Sequence, residues 1–230
     1  MYNHHTYAII VAGGAGLRMG AATPKQFLML DGKPLLYHTI QAFFNAVPNI
    51  EVILVLPEAF LELGKEIIDG FFPQHNIQLT VGGETRFHSV QNGLKLVEKE
   101  SILFVHDGVR CLVSESLIQR CYASAAETGS AIPVIPCKDS VRMIMEDGHE
   151  AIDRNLLRLV QTPQTFHSKI LLPAFEIDYK DRFTDEATVV EAYGLKVTLV
   201  QGEDENLKIT HPVDLVIAEK IIADRKAGAI

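Results

Sequence analysis

Strand-length apolar runs alternate with stretches of helical spacing through the first half of the chain, and this alternation restricts the fold more than any other feature. Tyr7 to Ala12 is an apolar run of strand length. Pro34 to Ala46 opens with proline at a first-turn position and carries Leu35, Leu36, Thr39, Ile40, Phe43 and Phe44 at helical spacing. Glu51 to Leu56 predicts a buried strand, Ala59 to Phe71 a helix, Ile77 to Val81 a short strand and Arg86 to Val97 a helix. Ile102 to His106 predicts the next strand, Ser114 to Glu127 a helix capped by Ser114, and Ala131 to Ile135 a further strand. Such an order implies an α/β fold with a mainly parallel sheet and right-handed crossovers. At 230 residues, one domain spanning 1–230 is the expectation.

The rhythm breaks after Pro136. Ser140 to Met145 and Glu150 to Asn155 predict two short strands about the turn Glu146-Asp147-Gly148, forming an arm over about residues 138–155. Val141, Met143 and Met145 on one strand and Ile152 on the other present an apolar face with little core beneath it. A two-stranded arm of this kind needs a partner surface, and a second copy clasping it about a two-fold axis makes a homodimer the expectation. Leu157 to Thr162 returns to the sheet, His167 to Ile177 and Thr184 to Tyr193 predict helices, Lys196 to Gln201 a strand, and His211 to Lys226 a final helix.

The first strand runs into Val11-Ala12-Gly13-Gly14-Ala15-Gly16-Leu17-Arg18-Met19-Gly20, which continues to Lys25. Glycine permits positive φ and has no Cβ, so consecutive N–H groups can turn inward around an anion. Arg18 and Lys25 add two cations to the same loop, and a polyphosphate is its natural occupant. The Walker pattern fails because Lys25 is followed by Gln26 and has no glycine directly before it. The dinucleotide fingerprint fails because Gly14, Gly16 and Gly20 have one residue too many between the last two, which disfavours an NAD-dependent oxidoreductase.

Composition narrows the classes further. No uncharged stretch reaches the length of about 18 residues needed to span a membrane, and the first residues lack the basic and apolar regions of a signal peptide, so a cytoplasmic protein is expected. Cys111, Cys121 and Cys137 have no Cys-x-x-Cys spacing and read as buried thiols. A net charge of −8 argues against nonspecific nucleic-acid binding, so any anion site must be a local cluster of cations.

Further candidates sit at the ends of predicted strands, where open α/β sheets bind ligands. Gly82 to Ser89 is a second glycine turn, in which Ser89 can hydrogen-bond a base or ribose and Gly83 allows close approach. Asp107 is a carboxylate placed to hold Mg²⁺ or accept a substrate hydroxyl. His106, at the end of an apolar strand, fits a satisfied core residue better than a base. Lys208 stands between apolar neighbours just before a helix, as a cation aimed at a ligand does. The runs Lys138-Asp139-Ser140, Asp153-Arg154-Asn155 and Thr184-Asp185-Glu186 each read, by themselves, as solvated polar surface.

Together these segments resemble the 2-C-methyl-D-erythritol 4-phosphate cytidylyltransferase family over nearly the whole chain. The resemblance rests on Ala12-Gly13-Gly14-x-Gly16-x-Arg18-Met19, Pro24-Lys25-Gln26, Gly82-Gly83-Glu84-x-Arg86-x-x-Ser89-Val90 and His106-Asp107-x-x-Arg110. Asp153-Arg154, Thr162-Pro163-Gln164, Thr184-Asp185-Glu186 and Asn206-x-Lys208-x-Thr210 complete it. It implies a three-layer, Rossmann-like nucleotidyltransferase fold, cytidylyl transfer from CTP to a polyol phosphate in the non-mevalonate isoprenoid pathway, and Mg²⁺ as cofactor. By motif it assigns Ala12, Gly13, Gly14, Gly16, Gly83, Glu84 and Ser89 to the nucleotide, and Arg18, Lys25 and Lys208 to catalysis at the phosphates. It assigns Asp107, Arg110, Ser140, Arg154 and Thr184 to the acceptor, with Asp107 also as metal ligand. Val11 and Gly13 stand where the family usually has Pro and Ala, Cys111 where it has Pro, and Ser140 where Thr is common. Ribitol 5-phosphate, the acceptor of a related family, remains an alternative substrate, and a catalytically silent nucleotide-binding module an alternative function.

Overall fold

Period-two alternation in the central strands sends successive side chains to opposite faces, so a single sheet carries two cores. The structure, a computed structural model, describes residues 2–13 and 24–228. The chain runs β1 (His5–Val11), β2 (Met29–Leu30), β3 (Lys33–Pro34), α1 (Leu35–Ala46), β4 (Glu51–Leu56), α2 (Leu61–Phe71), β5 (Ile77–Val81), α3 (Arg86–Leu94), β6 (Ser101–Asp107), α4 (Glu115–Thr128) and β7 (Ser130–Pro136). It continues through β8 (Val141–Met145), β9 (Gly148–Ile152), β10 (Arg158–Val160), β11 (Gln164–His167), α5 (Ser168–Ala174), α6 (Glu186–Ala192), β12 (Leu199–Gln201) and α7 (Pro212–Lys226).

The main sheet has the order β10-β7-β11-β6-β1-β4-β5, with β12 also paired to β7. The pairs of β1 with β4 and β6, of β4 with β5 and of β7 with β12 are parallel, while β10 and β11 run antiparallel to their neighbours. Ala8 and Ile10 of β1, Val52 and Leu54 of β4 and Phe104 of β6 face a core covered by Leu36, Ile40 and Phe43 of α1 and Leu117 and Cys121 of α4. Tyr7 and Ile9, Ile53 and Val55, and Leu103 and Val105 point the other way, under Phe87 and Val90 of α3, Leu171 of α5 and Val190 of α6. Helix, sheet and helix thus form three layers. In α3 a Cβ at Gly93 would lie 2.7 Å from Ile9 Cγ2, so glycine there sets how closely the helix sits on the sheet.

Several elements depart from the sequence reading. Helix α3 stops at Leu94 rather than Val97, because Leu96 and Val97 turn back to the carbonyls of Gly93 and Leu94 in tighter i→i−3 bonds. Residues Gln164–His167, which precede and begin the helix expected at 167–177, instead form β11, inserted antiparallel between β6 and β7. Four residues leave no readable periodicity, and the buried Gln164 is held by long-range bonds, its side-chain amide donating to Asp185 and its carbonyl accepting the Ala187 N–H. Cys111 and Cys121 are buried thiols as expected, and burial pushes both pKa values up to about 12; Cys137 is only half-buried. The hairpin forms about the Asp-Gly turn, but its second strand runs Gly148–Ile152 rather than Glu150–Asn155, because the Asp153 carboxylate accepts the Asn155 N–H at 2.9 Å and bends the chain into a 3₁₀ turn over Arg154–Leu156. Among the described residues its strands pair only with each other, Val141 opposite Ile152 and Met143 opposite Glu150, and Ile144 is 78 % exposed.

Candidate active site

Parallel strands end their carboxyl termini on one rim of the sheet, and the loops after β1, β5 and β6 bring their residues together there. The first loop leaves β1 at Ala12, whose carbonyl accepts a 2.8 Å bond from the buried Gln26 side chain. That bond ties the 3₁₀ turn Lys25–Phe27 to the mouth of the loop and sets Lys25 beside Gly13 on a shared cavity. Gly14, Gly16 and Arg18 lie outside the described residues. After β5, Thr85 caps α3, and Ser89 Oγ donates to Thr85 O at 2.9 Å while accepting the Gly83 N–H at 3.1 Å. A Cβ on Gly83 would fall 2.3 Å from His88 Cβ, so the turn closes only with glycine at this position.

After β6, Asp107 is 7 % exposed and receives three cations. Lys208 Nζ lies 3.0 Å and Arg110 Nε 3.4 Å from Oδ2, and Arg86 Nη2 lies 3.3 Å from Oδ1. Burial pushes the Asp107 pKa up, but the charges of Arg86, Lys208 and Arg110 outweigh burial and hold it below the ordinary carboxylate value. The backbone behind it is fixed by Thr162, whose Oγ1 accepts the Asp107 N–H at 3.1 Å. That hydroxyl is then free to donate to His106 Nδ1, 3.0 Å away, and His106 Nε2–H to donate to Arg110 O at 3.1 Å. Burial lowers the His106 pKa to about 4, so the ring is a neutral structural bridge, as its place in an apolar strand suggested.

Two cavities meet at this wall. One, of about 430 Å³, is lined by Ala12, Gly13, Lys25, Gly83, Glu84 and Ser89, together with Arg86, Asp107 and Lys208. The other, of about 210 Å³, holds Arg110 and Thr184 and shares Arg86, Asp107 and Lys208 with the first. Every described candidate except Ser140 and Arg154 therefore lines one cavity or the other. Those two lie at the root of the arm, where Arg154 Nη1 donates to Lys138 O at 2.7 Å and both side chains are exposed. A larger groove, about 1120 Å³, lies between α1 and α7 and contains none of the described candidates.

The profile of one protein family, "IspD: 2-C-methyl-D-erythritol 4-phosphate cytidylyltransferase", matches residues 6–224. The chain belongs to that family. It is 47 % identical over 216 residues to the 2-C-methyl-D-erythritol 4-phosphate cytidylyltransferase of Phocaeicola vulgatus, covering 94 % of this chain and 99 % of that one. It is 46 % identical to the Bacteroides fragilis protein of the same name, with 94 % and 98 % covered. Among solved structures, 4-diphosphocytidyl-2C-methyl-D-erythritol synthase from Anaerococcus prevotii superposes with a TM-score of 0.82 at 28 % identity, over 96 % of this chain and 99 % of that one.

For a cytidylyltransferase, the donors around Asp107 decide what the protein can hold. Both carboxylate oxygens are engaged by cations, and the described residues contain no group of three or more His, Cys, Asp or Glu that could hold a metal. Three cations thus share one buried carboxylate at the wall. Arg86, Gln26 and Thr210 are cavity residues that sequence reading left unassigned. Arg86 stood inside a quoted motif, but its partners Asp107 and Glu186 are 21 and 100 residues away, and no spacing rule links them. Among the described residues no helix is long and apolar enough to cross a membrane.

Proposed function

We propose that the chain transfers a cytidylyl group from CTP to 2-C-methyl-D-erythritol 4-phosphate, giving 4-diphosphocytidyl-2-C-methyl-D-erythritol and pyrophosphate in the non-mevalonate isoprenoid pathway. The observation that carries this reading is the pair of cavities divided by one cation-rich wall. The larger takes CTP, with Ala12, Gly13, Gly14, Gly16, Gly83, Glu84 and Ser89 about the nucleotide. The smaller takes the polyol phosphate against Asp107, Arg110 and Thr184. A phosphate oxygen of the acceptor attacks the α-phosphorus of CTP in line. The new P–O bond forms as the α–β bridging P–O bond breaks, and its electron pair leaves with pyrophosphate.

The nucleophile is already an anion, so no general base is needed. Catalysis consists of overcoming anion–anion repulsion and stabilising charge in the transition state, the work assigned to Arg18, Lys25 and Lys208. Mg²⁺ would arrive with the triphosphate, its donors being phosphate oxygens, water and the Asp107 carboxylate.

The exposed hairpin fits a homodimer in which each arm carries Ser140 and Arg154 to the partner's acceptor cavity. Residues 1–230 then act as one nucleotidyltransferase domain with a dimerisation arm. The free thiols of Cys111 and Cys121 fit a reducing compartment, and we place the enzyme in the cytoplasm. Pyrophosphate release with CTP, assayed side by side with methylerythritol phosphate and ribitol phosphate, tests the reading. Turnover of the first acceptor well above the second is expected. The reverse preference would reassign the substrate, and release with neither would leave a silent nucleotide-binding module.

A further inference from the structure

The wall between the two cavities contains a cation to which no motif gives a role. Arg86 opens α3, and its guanidinium lies between two carboxylates from distant parts of the chain, Asp107 at the end of β6 and Glu186 at the start of α6. Nη1 donates to Glu186 Oε1, while Nε and Nη2 stand 3.4 and 3.3 Å from Asp107 Oδ1. The Glu186 side chain is 1 % exposed, and its Oε2 has no hydrogen-bond partner among the described residues. Such a carboxylate is costly to bury and is tolerated only with a cation held against it. Arg86, by contrast, remains 24 % exposed and lines both cavities. An ion pair serving stability alone gains nothing by opening onto a substrate cavity, and apolar residues of similar volume would serve as well.

We infer that Arg86 contacts the phosphates of both substrates during transfer and that Glu186 is the positioning residue that holds its guanidinium at the shared wall. This rests on the cytidylyl transfer proposed above. The attacking phosphate and the α-phosphate must approach each other across the wall, and a guanidinium offers paired donors to two phosphate oxygens where a lysine offers one point charge. Without Glu186 the guanidinium is left with the remaining anions. It closes on Asp107, in competition with Lys208 and Arg110, or it follows the triphosphate in the ground state. Either outcome keeps CTP bound while misplacing the cation for transfer.

Steady-state kinetics with CTP and methylerythritol phosphate test this in wild type, Arg86→Lys, Glu186→Gln and the double variant Arg86→Met/Glu186→Met, which leaves neither charge unpaired. Arg86→Lys is expected to lower kcat on the order of 10²-fold, and the double variant by about 10²–10³-fold with its thermal midpoint close to wild type. Glu186→Gln is expected to lower kcat by about tenfold or more with KM for CTP unchanged or lower, the signature of a misplaced but still charged Arg86. Should the double variant fail to fold, the two single variants decide. Wild-type kcat in Arg86→Lys or in a folded double variant overturns the inference and leaves the transfer reaction standing, as does a Glu186→Gln defect confined to KM for CTP. A wild-type protein that releases no pyrophosphate with either acceptor overturns the proposed function and this inference with it.

Discussion

Among the described residues, Asp107 is 7 % exposed and meets three cations of its own chain, whereas Ile144, on the arm, is 78 % exposed in a hairpin whose strands pair only with each other. Both regions carry residues that the family resemblance assigns to the acceptor. Around Asp107 those residues are set by strands of one sheet, whose register along β1 and β6 leaves no freedom to slip without turning the core outward. At the arm, Ser140 and Arg154 follow a two-stranded ribbon that is marginal by itself in water. Under the proposed assignment, the part of the acceptor site around Asp107 is preorganised within the chain, while the part carried by Ser140 and Arg154 follows the arm.

The largest expected effect breaks the self-contained half. Lys25→Ala, Lys208→Ala and Arg18→Ala should each lower kcat on the order of 10²–10³-fold, as removal of a preorganised donor to a charged transition state does. The denaturation midpoint of Lys25→Ala should stay near wild type, because Lys25 lies outside the core, whereas Lys208→Ala also strips a cation from the buried Asp107 and should lower its midpoint. Near-normal rates at saturating CTP would remove them from the mechanism.

Next in size is complementation across the proposed dimer. Inactive Lys25→Ala and Arg154→Ala proteins, mixed and allowed to exchange subunits, should regain activity, because one of the two sites in a mixed dimer receives both wild-type residues. Persistent inactivity of verified mixed dimers, or a fully active monomer, would show that the arm carries nothing to a neighbouring site.

Acid should loosen the wall through His106 before it reaches Asp107. Folding holds the imidazole neutral with a pKa of about 4, against about 6.5 when unfolded, so between those values the unfolded chain binds the extra proton. Stability should therefore fall as pH drops from about 6.5 to about 4, by up to about 3 kcal/mol. The Asp107 contribution has the same sign but a lower window, present above the unfolded carboxylate value of about 3.9 and lost below it. Urea denaturation at pH 7 and pH 4 should show a smaller decline in His106→Gln. An undiminished decline would assign it to other groups.

The smallest effect sharpens the arm's side of the comparison. Ile144→Asp places a charge on an exposed apolar position and should weaken dimerisation about tenfold, or about 1.4 kcal/mol, while monomer stability moves by less than about 0.5 kcal/mol. Sedimentation across a concentration series reads the first and urea denaturation the second. A dimer as tight as wild type would place the interface elsewhere.

What the amino-acid order determined by itself was local. Alternating Tyr7, Ala8, Ile9 and Ile10 can be satisfied only by a strand covered on both faces; Ser114 caps α4 by accepting the Leu117 N–H at 3.0 Å; and the Asp147-Gly148 turn forms its hairpin. The glycine turns and the cations Lys25 and Lys208 were legible for the same reason, since each is a signal carried within a few residues. Tertiary structure alone decided that β11 enters antiparallel between β6 and β7, which four residues without periodicity could not announce. It also decided that Arg86, to which its motif gave no role, stands against a carboxylate 100 residues further on. Pairings of that kind are set by which strand ends and helix starts the sheet brings to one rim, and that placement depends on the packing of the whole chain rather than on any window within it.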